Sequence, residues 1–224
     1  MPCLCNCYFG VKVKILKFGC ASILISLAVL LIGFLWIREE YFQPISKIVT
    51  FSSERYGGNF LSFLERCDTA PKILKDDVVA RQGYPCFVTY ISESSAKNLG
   101  LSNGALGGAS RFFETPGIVL VPSRLLPYDL ATKSRILIHE TQHLMDYKNE
   151  PDLTFLELEM RAWGVSIPLF ISDVESGYYP LSIEDLKEGK CIDSVSQTEC
   201  YLAAKLISGG EDSMNEAIRE IYGD

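Results

Sequence analysis

The sequence predicts an α+β fold in which a small sheet lies beside a helical C-terminal half, preceded by one transmembrane helix. Three observations lead to this fold class. Residues 18–37 include no charged side chain, two segments in the middle of the chain are rich in β-branched and aromatic residues, and the pattern from Asp129 onward is mostly helical. The chain after the apolar run is long enough for one core and not obviously for two.

The apolar run predicts a membrane anchor, because its 20 residues match the thickness of a bilayer at about 1.5 Å per residue. A cleaved signal peptide is disfavoured, since no small-residue cleavage site follows. Lys12, Lys14 and Lys17 precede the run, which predicts a cytoplasmic N-terminus. The predicted location is a single-pass membrane protein, in a bacterial inner membrane, with its C-terminal domain periplasmic or extracellular. The predicted order is a cytoplasmic tail at 1–17, a transmembrane helix at 18–37, a stalk at 38–58 and an exported domain at 59–224.

The cysteines of the predicted exported part form an even set, which indicates two disulfides in an oxidising compartment. They are Cys67, Cys86, Cys191 and Cys200. Of three possible pairings, the local ones are favoured: Cys67 with Cys86 and Cys191 with Cys200. A cysteine zinc site ranks lower, because no C-x-x-C pair occurs. We interpret the cysteines of the predicted tail as reduced thiols without a specific role: Cys3, Cys5 and Cys7.

The charge of the chain excludes some partners. The net charge is −7, and residues 1–40 carry four basic and two acidic side chains, so the remainder carries −9. Such an acidic domain does not suit nucleic acid or anionic lipid headgroups. A neutral or cationic peptide or protein substrate is easier to accommodate.

The coarse secondary structure follows from residue types along the chain. Residues 86–91 and 117–121 predict strands, and the glycine-rich segment 99–108 between them predicts a flexible loop near the cleft, without a phosphate-binding motif. Gly57 and Gly58 predict a break. Helices are predicted at 129–147, 152–167, 182–188, 195–207 and 211–221, with Asp129 as the first N-cap and with Pro168 and Pro180 as breaks.

The only two histidines, His139 and His143, lie four residues apart with Glu140 between them, in the pattern H-E-x-x-H. On a helix, both imidazoles lie on one face, where they can reach a single tetrahedral Zn²⁺. Glu140 would then lie beside the metal, where a carboxylate can act as general base toward water. The pattern therefore predicts a zinc site with Glu140 as the catalytic residue.

A catalytic zinc site needs a third protein ligand, and no histidine remains to supply it. Glu159 lies on the most apolar stripe of the following helix, where a carboxylate is costly unless paired or metal-bound. It is the favoured third ligand, and Glu157 is the alternative. Asp146 is interpreted as a partner that orients an imidazole or as a helix-end residue, and Asp152 as an N-cap.

These residues resemble the gluzincins, zinc metallopeptidases with a His, His, Glu site. The resemblance rests on His139-Glu140-x-x-His143 and on Glu159-x-x-Ala162, and it covers roughly residues 117–169. It implies a zincin-like fold with an active-site helix, and an upstream edge strand that pairs with the substrate; residues 117–122 occupy the matching place. The short interval between His143 and Glu159 departs from larger gluzincins and resembles small single-domain members.

The predicted function is therefore a membrane-anchored zinc metallopeptidase that hydrolyses peptide bonds outside the cytoplasm. The alternative is a non-catalytic, membrane-tethered domain that binds zinc or a partner. Peptide hydrolysis at zinc commonly uses a donor aimed at the developing negative charge. With no further histidine in the chain, the candidates are Tyr128, Tyr178, Tyr179 and Arg161.

Overall fold

A computed structural model describes residues 45–57, 86–102, 104–112 and 115–223, together with Ser26. The chain divides into two units, Met1–Gln43 and Pro44–Asp224. The second unit includes seven described helices and three described strands. In chain order these are α1 (Ile45–Tyr56), β1 (Phe87–Tyr90), α2 (Glu93–Asn98), β2 (Gly107–Phe112), β3 (Thr115–Leu120), α3 (Pro122–Leu125), α4 (Leu130–Asn149), α5 (Phe155–Glu175), α6 (Ile183–Lys187) and α7 (Gln197–Tyr222).

The three strands form one mixed sheet in the order β1, β3, β2. β1 pairs with β3 in parallel, with Val88 opposite Ile118, and β2 pairs with β3 antiparallel, with Gly107 opposite Leu120. Both predicted strands are confirmed. The expectation that residues 117–122 form an edge strand is wrong, because β3 lies in the centre of the sheet. Among the described strands, β1 and β2 lie at the two edges, and β2 begins inside the segment predicted as a loop.

The predicted transmembrane helix requires a correction, and the predicted fold class is wrong in including it. No helix in the described part of the chain is both long enough and apolar enough to cross a membrane. The long helices contain charged side chains in their middle turns, such as Arg135 and Glu140 in α4. Residues 18–37 lie outside the described residues except for Ser26, as do Cys3, Cys5 and Cys7. The same finding contradicts the predicted single-pass location.

Helix α4 begins where the sequence predicts, because the Asp129 side chain accepts a hydrogen bond from Thr132 N at 2.7 Å. Helix α5 begins later than predicted. Thr154 is its N-cap, in a reciprocal capping box with Glu157, so Asp152 is not the cap. The helix also continues through Pro168 to Glu175, although the ring removes one backbone donor. Ile167 and Phe170, on either side of the proline, are fully buried, and their packing holds the helix together.

Helix α7 is a helical hairpin rather than one straight rod. Gly210 has φ 72° and ψ −168°, a backbone conformation that interrupts the helix and that glycine adopts without steric cost. This position agrees with the predicted gap between 207 and 211. Tyr201 donates to Glu220 at 2.9 Å, which places the two arms side by side. The C-terminal residues therefore return toward the start of the helix.

Two clusters of buried apolar side chains hold the helices and the sheet together. One cluster joins the sheet to α4 and to α1, whose Ile45 and Ile48 are fully buried. Helix α1 thus packs into the core, within the segment predicted as a stalk. The other cluster joins α5, α6 and α7 and includes Phe170, Leu202 and Ile218.

One disulfide of the favoured pairing is confirmed, because Cys191 and Cys200 are bonded. It ties the segment before α7 to the first turn of that helix. Cys86 is disulfide-bonded as well. Its predicted partner, Cys67, lies outside the described residues.

A buried ion network ties α4 to its neighbours one turn before His139. Arg135 is fully buried, and its guanidinium pairs with Asp173 of α5 and, at 2.8 Å, with Glu199 of α7. Asp173 also accepts hydrogen bonds from Arg55 and Tyr56 at the end of α1. Since breaking a buried pair leaves an uncompensated charge, the network holds these four segments in one arrangement.

Candidate metal centre

The structure brings the three predicted ligands into one buried group. His139 and His143 lie one turn apart on α4, and Glu159 faces them from α5. The Nε2 atoms of the two histidines are 3.1 Å apart. Glu159 Oε1 is 3.4 Å from Nε2 of His143, and its Oε2 is 3.5 Å from Nε2 of His139. The group could therefore hold a metal ion.

The distances fit a metal better than a set of hydrogen bonds. Ligand atoms at 2.0–2.1 Å from a tetrahedral zinc ion lie roughly 3.4 Å apart, close to the three separations here. The two Glu159 contacts are too long for good hydrogen bonds. Among the described residues, Glu159 Oε2 has no hydrogen-bond partner although it is buried. A buried carboxylate oxygen without a partner is costly, so its position suits a metal ligand.

The charged side chains around the group also suit a metal site. Burial alone would raise the pKa of Glu159, but the two histidines lower it to about 2. Burial opposes protonation of His143, yet the carboxylates of Glu159, Glu140 and Asp146 raise its pKa. The site thus places the carboxylates of Glu140 and Glu159 beside two imidazoles, an arrangement that suits a divalent cation.

Glu159 rather than Glu157 faces the histidines. Glu159 is buried, whereas Glu157 lies at the exposed start of α5 and accepts a hydrogen bond from Thr154 N at 2.8 Å. Asp146 is buried near the site but does not bind an imidazole: it accepts from Gln142 at 2.9 Å. In the described residues, Nδ1 of both histidines has no hydrogen-bond partner.

Glu140 is buried beside the ligand group and in contact with the edge strand. Burial raises the pKa of its carboxyl, the histidines oppose that shift, and a hydrogen bond from the backbone N–H of Ala109 holds the carboxylate. A carboxyl with a raised pKa is better matched to proton transfer near neutral pH than an exposed one. Strand β2 therefore positions the predicted general base.

Trp163 and Tyr222, which the sequence analysis did not propose as site residues, lie beside the ligand group. The Trp163 ring lies against the His139 ring, with centroids 4.3 Å apart. Trp163 Nε1 donates to the Tyr222 hydroxyl at 3.1 Å. Burial raises the pKa of Tyr222, and the negative charge of Glu159 raises it further. Tyr222 is thus a protonated phenol next to the ligand group.

Of the four predicted oxyanion donors, only Tyr128 lines the cleft described below. Tyr179 is hydrogen-bonded to Asp129 and Arg135 on the far side of α4. Tyr178 packs on the Arg55 guanidinium. Arg161 is engaged on the surface with Glu150, at 2.6 and 2.8 Å.

A cleft of about 660 Å³ opens onto the ligand group. The described residues of the glycine-rich segment, 100–102 and 104–109, contribute to one wall. Both ends of α7 form the other wall. His139, Glu140, His143 and Glu159 lie on its floor. Phe155, 59% exposed, lies at its rim. A substrate could therefore reach the site without movement of the described residues.

Trp163, strand β2 and Tyr222 were not predicted as parts of the site, and they differ in how strong a signal the sequence gives for each. Trp163 is four residues after Glu159 on the stripe that identified this ligand, so its helical spacing could have found it. Glycine residues obscured the strand character of β2. Tyr222 gives no local signal, because only the bend at Gly210 returns it to the site.

No protein family, curated protein or solved structure that we compared with the chain matches it. The resemblance to gluzincins therefore rests on the motif residues themselves, and a function has to be argued from the geometry of the site.

Proposed function

We propose that the protein is a zinc-dependent metallopeptidase. The observation that supports this most is the combination of a three-ligand group with a buried carboxylate, Glu140, at the bottom of a cleft. A zinc ion held by His139, His143 and Glu159 would polarise a carbonyl group and lower the pKa of its bound water. The chemistry that this combination suits is hydrolysis of an amide bond.

Glu140 would move the proton in this reaction. Its carboxylate would accept a proton from the attacking water and return it to the leaving amine. The Ala109 N–H orients the carboxylate, and burial favours uptake of the proton. Tyr222 would donate its hydroxyl hydrogen to the developing oxyanion, with Trp163 holding the phenol oxygen in place.

The edge strand β2 would hold the substrate backbone. Val121 N donates to Leu106 O at 3.0 Å, so these opposed residues form a hydrogen-bonded pair. Because such pairs alternate along an antiparallel ladder, the N–H and C=O groups of Gly107 and Ala109 point away from β3. The Ala109 N–H is bonded to Glu140. An extended peptide added beside β2 would therefore pair with the N–H and C=O groups of Gly107 and with the Ala109 C=O.

A purely structural zinc site is the second candidate, and the geometry of the group argues against it. Structural sites are closed by four protein ligands. Among the described residues, only three ligating side chains converge. The cleft leads directly to them, and Glu140 is a further buried carboxylate on its lining.

The experiment that tests this function compares the full chain with a Glu140→Gln variant. We expect the parent, loaded with zinc, to hydrolyse a mixture of unstructured peptides. The Glu140→Gln variant should bind zinc equally but lose turnover, because the amide cannot accept the proton. Glu157→Gln, a change of the same kind at the exposed start of α5, should keep full activity. Equal turnover in Glu140→Gln and the parent would refute the proposed role.

A further inference from the structure

Two large apolar side chains are exposed in the cleft, although neither takes part in the proposed hydrolysis. Phe155, the first residue of α5, is 59% exposed, and Ile221, near the end of α7, is 43% exposed. Both line the cleft. The other exposed large apolar side chains of the described residues, Leu99, Tyr178 and Tyr201, lie outside its lining. Apolar surface that lines a cleft, unlike a scattered surface residue, is typical of a binding site.

Phe155 lies on the same stripe of α5 as the metal group. Phe155, Glu159 and Trp163 follow one another at intervals of four residues, so their side chains share one face of the helix. All three line the cleft. The Cα atoms of Phe155 and Glu159 are about 6 Å apart along the helix axis, at a rise of about 1.5 Å per residue. The stripe therefore leads from the metal group to the rim of the cleft.

Tyr222 connects the two exposed side chains to this stripe. Its ring packs against Phe155 in a T-shaped arrangement, with centroids 5.8 Å apart. Its hydroxyl accepts a hydrogen bond from Trp163 Nε1 at 3.1 Å. Since Phe155 and Trp163 lie on either side of Glu159 along the helix, Tyr222 spans the stripe at the level of this ligand. Ile221 precedes Tyr222 in the chain. We call Phe155, Ile221 and the ring of Tyr222 the apolar shelf.

The cleft offers no free charge to a charged side chain on the shelf. Apart from the three metal ligands, the charged residues of its described lining are Glu140, Arg135 and Glu199. Arg135 and Glu199 are buried and paired with each other at 2.8 Å. A charged side chain on the shelf would lose water without gaining a partner, which is costly. An apolar side chain would instead gain from the burial of its own surface and of the shelf.

We propose that the apolar shelf binds a large apolar side chain of a peptide substrate, either aromatic or branched aliphatic. The distance of about 6 Å between Phe155 and Glu159 along α5 corresponds to about two residues of an extended peptide. The side chain on the shelf therefore belongs to a residue about two positions from the cleaved bond. This inference rests on the proposed peptidase function for its reaction but not for its binding.

The first test measures which peptide bonds are cleaved. The zinc-loaded full chain is incubated with a mixture of peptides in which each position is varied among Phe, Leu, Ser, Lys and Glu. Mass spectrometry of the products should show Phe and Leu enriched about ten-fold over the other three at one position, about two residues from the cleaved bond. Equal use of all five residues at every position near the cleaved bond would contradict the proposal.

The second test measures binding without hydrolysis, in the zinc-loaded Glu140→Gln variant. The probes are two Gly-Ser peptides of one sequence that differ only in a central residue, which is Phe in one and Ser in the other. Calorimetry should give a Kd about ten-fold lower for the Phe peptide, because only its side chain covers the shelf.

Substitutions of the shelf connect both preferences to these residues. Phe155→Ala combined with Ile221→Ala should remove the preference in both tests and raise KM for the Phe peptide about ten-fold, with little change in kcat. Both side chains are exposed, so their truncation should leave the fold intact. Phe155→Leu keeps an apolar side chain and should retain most of the preference. Leu99→Ala, a truncation of the same kind outside the cleft, should retain all of it. Circular dichroism and zinc content serve as controls.

The outcomes distinguish this inference from the proposed function. Hydrolysis without enrichment, together with equal Kd for the two probes, would overturn the shelf and leave the peptidase function standing. Tighter binding of the Phe peptide without hydrolysis by the parent would support the shelf and refute the peptidase function. A preference that is unchanged in the folded double variant would also overturn the shelf.

Discussion

His143 Nε2 lies 3.4 Å from Glu159 Oε1, although the two residues belong to different helices. Helices α4 and α5 form an antiparallel pair, joined by the segment around Pro151. Arg161 of α5 pairs with Glu150 near this connection, and Arg135 pairs with Asp173 at the far end. Along α4 the two histidines lie between Arg135 and Glu150, and on α5 Glu159 lies two residues before Arg161. The pairing of the helices therefore sets the approach of Glu159 to the histidines.

The Tyr222 hydroxyl is expected to stabilise the transition state. Tyr222→Phe removes the donor and keeps the ring, so it should lower kcat by roughly 10²- to 10³-fold. Zinc content and thermal stability should change little. Tyr201→Phe provides the matched control, because Tyr201 lies on the other arm of the α7 hairpin and only bonds Glu220. Steady-state kinetics would contradict this role if both variants retained the parental kcat.

The close packing at Gly107 predicts a loss of activity in Gly107→Ala. An added Cβ would lie 2.9 Å from Leu120 Cδ2 and from Val119 O, and 3.5 Å from Glu140 Oε1. Strand β2 must shift, and the Ala109 N–H then loses its position against Glu140. We expect kcat/KM to fall by about ten-fold or more, with zinc still bound.

The neighbouring glycine provides the control for this substitution. In Gly108→Ala, the added Cβ points to the other face of the strand and meets Leu101 Cδ2, at 2.5 Å. Leu101 can rotate away, because the contact is at the end of its side chain. Kinetic assays of the two variants should therefore differ, and equal losses would contradict the role of β2 in positioning Glu140.

The buried ion network is expected to be a large contributor to stability. Arg135→Ala leaves Asp173 and Glu199 buried without their partner and should reduce the free energy of unfolding by about 3–5 kcal/mol. Arg161→Ala breaks the pair with Glu150, in which both side chains are largely exposed, and a longer contact with Asp146 at 3.5 Å. It should cost much less than Arg135→Ala, because water screens an exposed pair. Urea denaturation of both variants, at constant zinc, measures the difference. Similar losses in the two would contradict this ranking.

The disulfide between Cys191 and Cys200 is expected to stabilise the fold by restricting the unfolded chain. The two cysteines are nine residues apart, for which loop closure corresponds to about 3 kcal/mol. A Cys191→Ser, Cys200→Ser double variant should therefore have a lower Tm than the oxidised parent. Reduction of the parent should lower the Tm at least as far, because it also breaks the disulfide of Cys86. A Tm that is insensitive to both treatments would exclude this contribution.

The metal ligands could be predicted because their spacing is local. His139 and His143 are neighbours on any helix, and Glu159 follows on an apolar stripe where a carboxylate needs a partner. The helical C-terminal half and the break near Gly210 were likewise readable from periodicity and from glycine. Pro168 was misleading, since tertiary packing of Phe170 and its neighbours overrides the preference of proline.

The strand order and the far end of the cleft could not be predicted from local patterns. Residues 117–121 read as a strand, but whether a strand is central or at an edge depends on a partner elsewhere in the sequence. Here the partner is β2, where Gly107 and Gly108 weaken the strand signal. Tyr222 reaches the cleft only through the bend at Gly210. The predicted membrane anchor rested on hydropathy alone, and no described helix supports it.

The central claim is that His139, His143 and Glu159 form one zinc site. The most direct test is the metal content of the full chain by mass spectrometry, after zinc addition and removal of excess metal. The parent and Glu157→Ala should retain one equivalent of zinc. His143→Ala and Glu159→Ala should lose it while remaining folded by circular dichroism. Zinc that stays bound in Glu159→Ala, or a parent that binds none, would contradict the claim.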